Sequence, residues 1–139
     1  MHRVFADTFY WIALVHRKDA SNKEALAWSR KAASVLVYTT DEVLTEMLAF
    51  CSSDEGLRTD AAKIVRSILT ASTVRVLPQS RQTFLDGLAF YEARPDKGYS
   101  LTDCISMQAM RREGLTEALT NDRHFEQEGF RAVFRDFDG

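Results

Sequence analysis

The sequence has few of the features that mark secreted or membrane-spanning proteins. Its 139 residues include only two cysteines, two prolines and six glycines. Two isolated cysteines do not form a disulfide framework, which indicates reduced thiols and a cytoplasmic location. The apolar stretch at the N-terminus meets Asp7 too early for a signal peptide, and no apolar run reaches the ~18 residues of a membrane helix. We therefore expect a soluble protein without a membrane partner.

Several common catalytic motifs are also missing. The glycines form neither a phosphate-binding loop nor a dinucleotide fingerprint, and no Gly-x-Ser-x-Gly motif supplies a nucleophile. His2, His16 and His124 are scattered and lack the spacing of a histidine metal site. Cys104 has no histidine nearby in sequence to activate it, and the adjacent Asp103 would raise the pKa of its thiol. Packing is therefore the expected role of Cys104.

The composition is that of a globular protein with a substantial core. Hydrophobic residues make up 45% and aromatic residues 11% of the chain, and the length predicts a single domain over residues 1–139. The formal net charge is only −2, so no global positive field indicates a nucleic-acid-binding protein. A polyanion would have to bind through local basic patches or through metal ions.

Apolar runs and helical spacing alternate along the chain. Five short runs rich in Val, Leu or Phe predict strands at residues 3–6, 34–39, 74–77, 118–120 and 132–134. Six segments with helical spacing predict helices at residues 8–15, 20–33, 40–53, 57–71, 81–93 and 102–113. Residues 39–42 fit a capping box at a helix start, and Gly114 fits a helix end. This order predicts an α/β fold around a mostly parallel sheet.

Four carboxylates lie where a charge is unfavourable, because each follows or interrupts an apolar run. Asp7 follows the first predicted strand and Asp122 the fourth, at the sheet edge where α/β proteins form their sites. Asp103 lies in the first turn of a helix and shares its row with apolar methionines. Glu46 borders the apolar face of the third predicted helix.

Each carboxylate also has an ordinary interpretation. Asp7 and Asp122 can be helix N-caps, and Glu46 can be a boundary residue with its head in water. A capping role fits Asp103 less well, because Ser100 or Thr102 can supply that cap. Taken together, however, four acids at one sheet edge would repel one another unless a cation were bound. Oxygen ligands favour Mg²⁺ or Mn²⁺ over Zn²⁺, and such an ion can activate water against a phosphodiester.

Four segments carry a resemblance to a known family. They are residues 4–8 (VFADT), 39–46 (TTDEVLTE), 100–106 (SLTDCIS) and 119–125 (LTNDRHF). The chain resembles the PIN-domain family over essentially its whole length, and within it the VapC-type toxins of type II toxin–antitoxin systems. The resemblance implies an α/β, Rossmann-like PIN domain with a parallel five-stranded sheet of order 3-2-1-4-5. It also implies a cytoplasmic endoribonuclease that depends on Mg²⁺ or Mn²⁺.

The family's acidic quartet maps onto Asp7, Glu46, Asp103 and Asp122. The resemblance implies that these residues are catalytic and that they ligate the metal, directly or through water. Thr8 and Thr120 match supporting positions that can orient a ligand or water. The implied partners are RNA, a cognate antitoxin that docks in the acidic cleft, and a second copy of the chain. Apolar residues near the N-terminus, such as Phe9, Trp11, Ile12 and Leu14, also favour a homodimer, but they do not show which face it uses. Core packing is the alternative for the aromatic residues among them.

Local basic residues are the candidates for RNA contacts. They are residues 16–18, Arg111 and Arg112, and Arg123 and His124; solvated helix faces are the alternative for each group. Arg123 is the favoured contact because it directly follows Asp122. Two other functions stay open: a protein-binding PIN module without significant activity, in which the acidic pocket is a docking site, and a standalone RNA-processing PIN nuclease.

Overall fold

A central sheet organises residues 1–137, the part of the chain described by this computed structural model. Its strands are β1 (His2–Ala6), β2 (Val35–Thr40), β3 (Val74–Leu77), β4 (Glu117–Leu119) and β5 (Arg131–Ala132). The helices are α1 (Thr8–Val15), α2 (Asn22–Lys31), α3 (Asp41–Phe50), α4 (Glu55–Thr70), α5 (Arg81–Ala93), α6 (Leu101–Glu113) and α7 (Arg123–Gln127). All strand pairs are parallel and the order is β3-β2-β1-β4-β5, which confirms the predicted topology.

The register of the central strands brings two predicted site residues together. β1 lies between β2 and β4, and its Val4, Phe5 and Ala6 are fully buried, as expected for a strand covered on both faces. Ala6 pairs with Leu119 at the carboxyl end of β4. The next residue along each strand is therefore Asp7 on one side and Thr120 on the other.

Helix α1 is a core element. Trp11 and Ile12 are buried, and Phe9 and Leu14 are partly buried against the core. Trp11 and Ile12 therefore pack in the core and not on a dimer surface, because a helix that is apolar all round packs inside the protein. The Trp11 indole also donates to Thr39 Oγ1 (3.1 Å) and so holds α1 against β2.

The structure departs from the predicted elements mainly near the C-terminus. The predicted strand 132–134 ends at Ala132, and a 3₁₀ turn (Val133–Arg135) follows it. Helix α7 was not predicted, because five residues are too few to show a helical period. At α3 the cap is Thr40, which accepts from the Val43 amide, so the predicted capping box at residues 39–42 does not form.

Helices α5 and α6 pack closely, and both begin with a capping box. A Cβ at Gly87 would collide with Ile105, so a residue without a side chain is required where α5 crosses α6. Helix α6 ends at Gly114 in the left-handed conformation (φ 68°), as predicted. In residues 1–137, no helix is long and apolar enough to cross a membrane.

Candidate metal centre

An open pocket of about 530 Å³ lies at the carboxyl ends of β1 and β4. It contains every residue that the sequence singled out for the site, the four carboxylates and two threonines together with Arg123. The lining residues are Asp7, Thr8, Phe9, Glu46, Asp103, Thr120, Asn121, Asp122, Arg123 and Arg135. Of these, Phe9, Asn121 and Arg135 were not predicted as site residues.

The Thr120 hydroxyl group links the Asp7 carboxylate to the backbone at Asp122. The Thr120 hydroxyl, fully buried, donates to Asp7 Oδ2 (3.0 Å) and accepts from the Asp122 backbone amide (3.1 Å). Asp7 is at the N-cap position of α1, yet its side chain accepts no capping hydrogen bond. N-capping therefore does not explain why a carboxylate is buried at position 7.

Glu46 reaches the pocket from the second turn of α3. Its Oε1 accepts a short hydrogen bond from the Thr8 hydroxyl in the first turn of α1. The side chain is only partly buried, consistent with its place at the edge of the apolar face of α3. Thr8 and Thr120 thus both contact carboxylates, and each holds one of them towards the pocket.

Asp103 has a capping role that its sequence context disfavoured. It is the third residue of α6, where its amide donates to Ser100 Oγ (3.0 Å) and its Oδ2 accepts from the Ser100 amide (3.1 Å). This reciprocal pair is a capping box. The prediction that Met107 and Met110 continue its row into the core is confirmed, since both are fully buried. One oxygen of Asp103 therefore fixes the helix start while the side chain lines the pocket.

Asp122 caps α7 and lies beside a histidine. Its Oδ1 accepts from the His124 backbone amide (2.9 Å), so the N-cap interpretation of Asp122 is confirmed. The His124 ring nitrogen Nδ1 lies 3.1 Å from Asp122 Oδ1 and 3.9 Å from Asp103 Oδ2. The fold thus brings a ring nitrogen close to two of the carboxylates, which sequence spacing did not indicate.

Burial raises the pKa of Asp7 to about 7, and the negative charge of Asp103 adds to this rise. The Thr8 amide and the Thr120 hydroxyl oppose it by favouring the charged form. Burial also raises the pKa of Asp103, with a further contribution from the charge of Asp122. The pocket therefore concentrates negative charge that a cation would stabilise.

The donor set fits a divalent cation. Carboxylate oxygens of Asp7, Glu46, Asp103 and Asp122 meet in one pocket, and ligand atoms of Asp103, Asp122 and His124 lie within 4.8 Å of one another. Hard cations such as Mg²⁺ and Mn²⁺ prefer oxygen ligands of this type. Burial, and to a lesser degree the charges of neighbouring carboxylates, disfavours the ionised forms of Asp7 and Asp103, and a bound cation would stabilise those forms.

Two arginines stand at the rim of the pocket. Arg123 is exposed beside Asp122, and Arg135 in the 3₁₀ turn forms an ion pair with Glu126 (2.8 Å). By contrast, Arg111 bonds Glu128 (2.9 Å) and lies over the Phe90 ring, so its cation has a structural role. Arg111 is therefore a poor candidate for an RNA contact.

Comparisons with known proteins identify the same fold. No protein-family model matches the sequence. The chain is 28% identical over 128 residues to the 23S rRNA-specific endonuclease VapC20 of Mycobacterium tuberculosis, covering 91% of this chain and 95% of that protein. The crystal structure of VapC20, described as a sarcin-ricin loop cleaving toxin, superposes with a TM-score of 0.81 at 26% identity, over 91% and 95% of the two chains.

A second solved structure shares the fold at lower sequence similarity. VapBC2 from Rickettsia felis, bound to a DNA fragment from its promoter, matches with a TM-score of 0.64 and 14% identity, over 94% of this chain and 96% of that one. The parallel sheet of order 3-2-1-4-5, with an acidic pocket at its carboxyl edge, matches the PIN fold of VapC20. In sequence as well as in fold, the chain is similar to this VapC-type toxin.

Proposed function

We propose that this chain is a metal-dependent endoribonuclease and the toxin of a type II toxin–antitoxin pair, acting as one domain over residues 1–139. The observation that carries the proposal is the convergence of Asp7, Glu46, Asp103 and Asp122 in one pocket. The similarity to an endonuclease that acts on 23S rRNA supports the reaction class. Ribosomal RNA is therefore the first substrate to test.

The roles proposed for the pocket residues follow from their contacts. Asp7, Asp103 and Asp122 would hold Mg²⁺ or Mn²⁺, directly or through water. The Thr120 hydroxyl joins Asp7 to the backbone at Asp122, and ligand atoms of Asp103 and Asp122 lie within 4.8 Å of one another. The bound cation would acidify a water molecule and neutralise the charge that develops on the phosphodiester. Glu46, held by the Thr8 hydroxyl, would orient the attacking water and accept its proton.

Fewer observations support the proposed protein partners than support the proposed reaction. The Rickettsia felis structure contains a VapBC assembly with the same toxin fold, which supports an antitoxin partner for this chain. Cys51 and Cys104 are both buried and free, which suits a reducing cytoplasm. Homodimerisation stays a prediction, and size-exclusion chromatography with light scattering would test it.

Asp103→Asn tests the catalytic proposal with little structural change. Asparagine can still accept from the Ser100 amide, so the capping box survives while the charge is removed. We expect cleavage of ribosomal RNA in Mn²⁺ to fall by roughly 100-fold or more, which is typical for the loss of a group that acts in the transition state. EDTA should abolish cleavage by the unchanged chain.

Asp54→Asn is the matched control. Asp54 caps α4 through the Leu57 amide (2.8 Å), so it is also a helix-start aspartate, but it lies outside the pocket. We expect its variant to cleave RNA at the rate of the unchanged chain. Full cleavage and full cell toxicity in Asp103→Asn would overturn the proposal and favour a docking role for the pocket.

A further inference from the structure

The His124 ring presents a buried nitrogen to the carboxylates. Nδ1 is shielded from solvent and has no hydrogen-bond partner within residues 1–137, although Asp122 Oδ1 is only 3.1 Å away. A separation of 3.1 Å is short enough for a hydrogen bond, so the direction of the contact is what prevents one. A buried, unpaired ring nitrogen is unfavourable unless something else satisfies it.

The separation between His124 Nδ1 and Asp122 Oδ1 suits two ligands of one cation. Ligand atoms bound at about 2.1–2.2 Å in adjacent positions of an octahedron lie about 3.0–3.1 Å apart. The distance from Nδ1 to Asp122 Oδ1 is 3.1 Å and matches this value, whereas Asp103 Oδ2 is farther from Nδ1, at 3.9 Å. The nitrogen is thus placed beside the carboxylates as a ligand would be, rather than as a donor to either of them.

The surroundings of the ring hold it in this position. His124 lies in the first turn of α7, where Asp122 accepts from its backbone amide. The Tyr99 ring meets the imidazole edge-on, with centroids 5.3 Å apart. Tyr99 is itself fixed by donating to Glu128 Oε2 (2.8 Å). Gly98, with φ 75°, lies close to the ring, since a Cβ built at this position would be 3.8 Å from Nε2. Second contacts of this kind orient a metal-binding histidine.

We propose that His124 Nδ1 is a direct metal ligand, with Asp103 and Asp122, and that this nitrogen makes the site selective for Mn²⁺ over Mg²⁺. The inference rests on the proposed metal-dependent function and specifies the ion. Both ions accept carboxylate oxygens, but Mg²⁺ is the harder of the two and retains its waters, whereas Mn²⁺, as a transition-metal ion, gains more from an imidazole nitrogen. An all-carboxylate pocket would lack this preference.

Pulsed electron paramagnetic resonance of the purified full chain with Mn²⁺ tests the ligand directly. A bound imidazole gives a ¹⁴N coupling to the Mn²⁺ spin, and labelling the histidines with ¹⁵N should replace it with a ¹⁵N coupling. His124→Gln, which offers an amide oxygen instead, should remove the coupling. His16→Gln is the matched control, since His16 lies in a different part of the molecule from the cluster of Asp103, Asp122 and His124, and it should leave the coupling unchanged.

Isothermal titration with Mn²⁺ and with Mg²⁺ measures the selectivity. We expect His124→Gln to weaken Mn²⁺ binding by roughly tenfold or more and Mg²⁺ binding by about twofold or less. Bound Mn²⁺ without a histidine coupling, or equal losses for the two ions, would overturn this inference while metal-dependent cleavage could still hold. Failure of both ions to bind the unchanged chain would overturn the inference and the metal dependence of the proposed function together.

Discussion

At the scale of single residues, the buried charge of Asp7 makes the metal-free fold less stable. Its side chain is buried at the end of β1, and burial together with the charge of Asp103 raises its pKa from 3.8 to about 7. As the pH rises, the unfolded chain loses this proton first. The ionised carboxylate therefore destabilises the metal-free fold. The loss in the free energy of unfolding begins above about pH 4 and reaches roughly 4 kcal/mol once the pH exceeds 7.

Asp7→Asn should consequently stabilise the metal-free protein at high pH. Asparagine keeps an oxygen that can accept from Thr120 but removes the buried charge. Urea denaturation in EDTA should show a gain of about 2–4 kcal/mol at pH 8 and less than about 1 kcal/mol at pH 4. Asp54→Asn, at an exposed cap, should show no such gain at either pH. A less stable Asp7→Asn protein at pH 8 would contradict the electrostatic account.

The sequence predicts some site residues better than others, for a physical reason. Asp7 and Asp122 follow strands, and parallel strands end at one edge of a sheet, so their proximity can be inferred from the strand order. The role of His124 was missed because ligand spacing along the sequence detects only residues on a common element. Its partner Asp103 is on α6, 21 positions earlier, and only the packing of α7 brings the two together.

At the scale of elements, Glu128 joins three parts of the chain beneath the site. It follows α7 directly and accepts from Arg94 Nε (3.0 Å), Arg111 (2.9 Å) and the Tyr99 hydroxyl (2.8 Å). Arg94 ends α5, Tyr99 lies in the following loop and Arg111 belongs to α6. Burial opposes the charge of Glu128, but these hydrogen bonds outweigh it and lower its pKa to about 2. The ionised carboxylate therefore stabilises the fold above about pH 4.5.

Glu128→Gln should weaken the hydrogen bonds that connect the end of α7 to Arg94, Tyr99 and Arg111. Because the carboxylate is only 6% exposed, we expect a loss of about 2 kcal/mol in the free energy of unfolding at pH 7. The difference should shrink as the pH falls towards 2, where the native carboxylate takes up its proton. Glu126→Gln is the control, since its pair with Arg135 is exposed and should contribute less than about 1 kcal/mol. Equal losses in the two variants would contradict a special role for Glu128.

Most elements were predictable from the sequence, but the bounds near the C-terminus were not. Helix α5 has the predicted bounds, and β3 also agrees, because each carries a full period of apolar residues. Helix α7 has five residues and β5 only two, so α7 was missed and β5 was predicted with shifted bounds. Tertiary contacts define them instead, such as the hydrogen bond from the Phe134 amide to the Thr120 carbonyl (3.0 Å).

At the scale of the whole molecule, the net charge of −2 conflicts with binding a polyanion. The acidic pocket adds to the difficulty, because phosphates are repelled by the carboxylates until a cation is bound. Arg123 and Arg135 stand at the rim of that pocket and offer positive charge where a phosphate would approach. We therefore expect RNA affinity to depend on a few local contacts together with the metal, rather than on a broad basic surface.

The salt dependence of RNA binding tests this local mechanism. In an Asp103→Asn background that prevents cleavage, the further change of Arg123 and Arg135 to glutamine should weaken binding of ribosomal RNA fragments. The slope of log affinity against log salt should fall by about 0.7–0.9 for each phosphate that an arginine no longer neutralises. Arg66→Gln, on an exposed face of α4 outside the pocket, should leave the slope unchanged because its charge lies away from the bound strand. An equal change of slope for Arg66→Gln would mean that the RNA is bound diffusely over the surface, and the rim arginines would then have no special part in recognition.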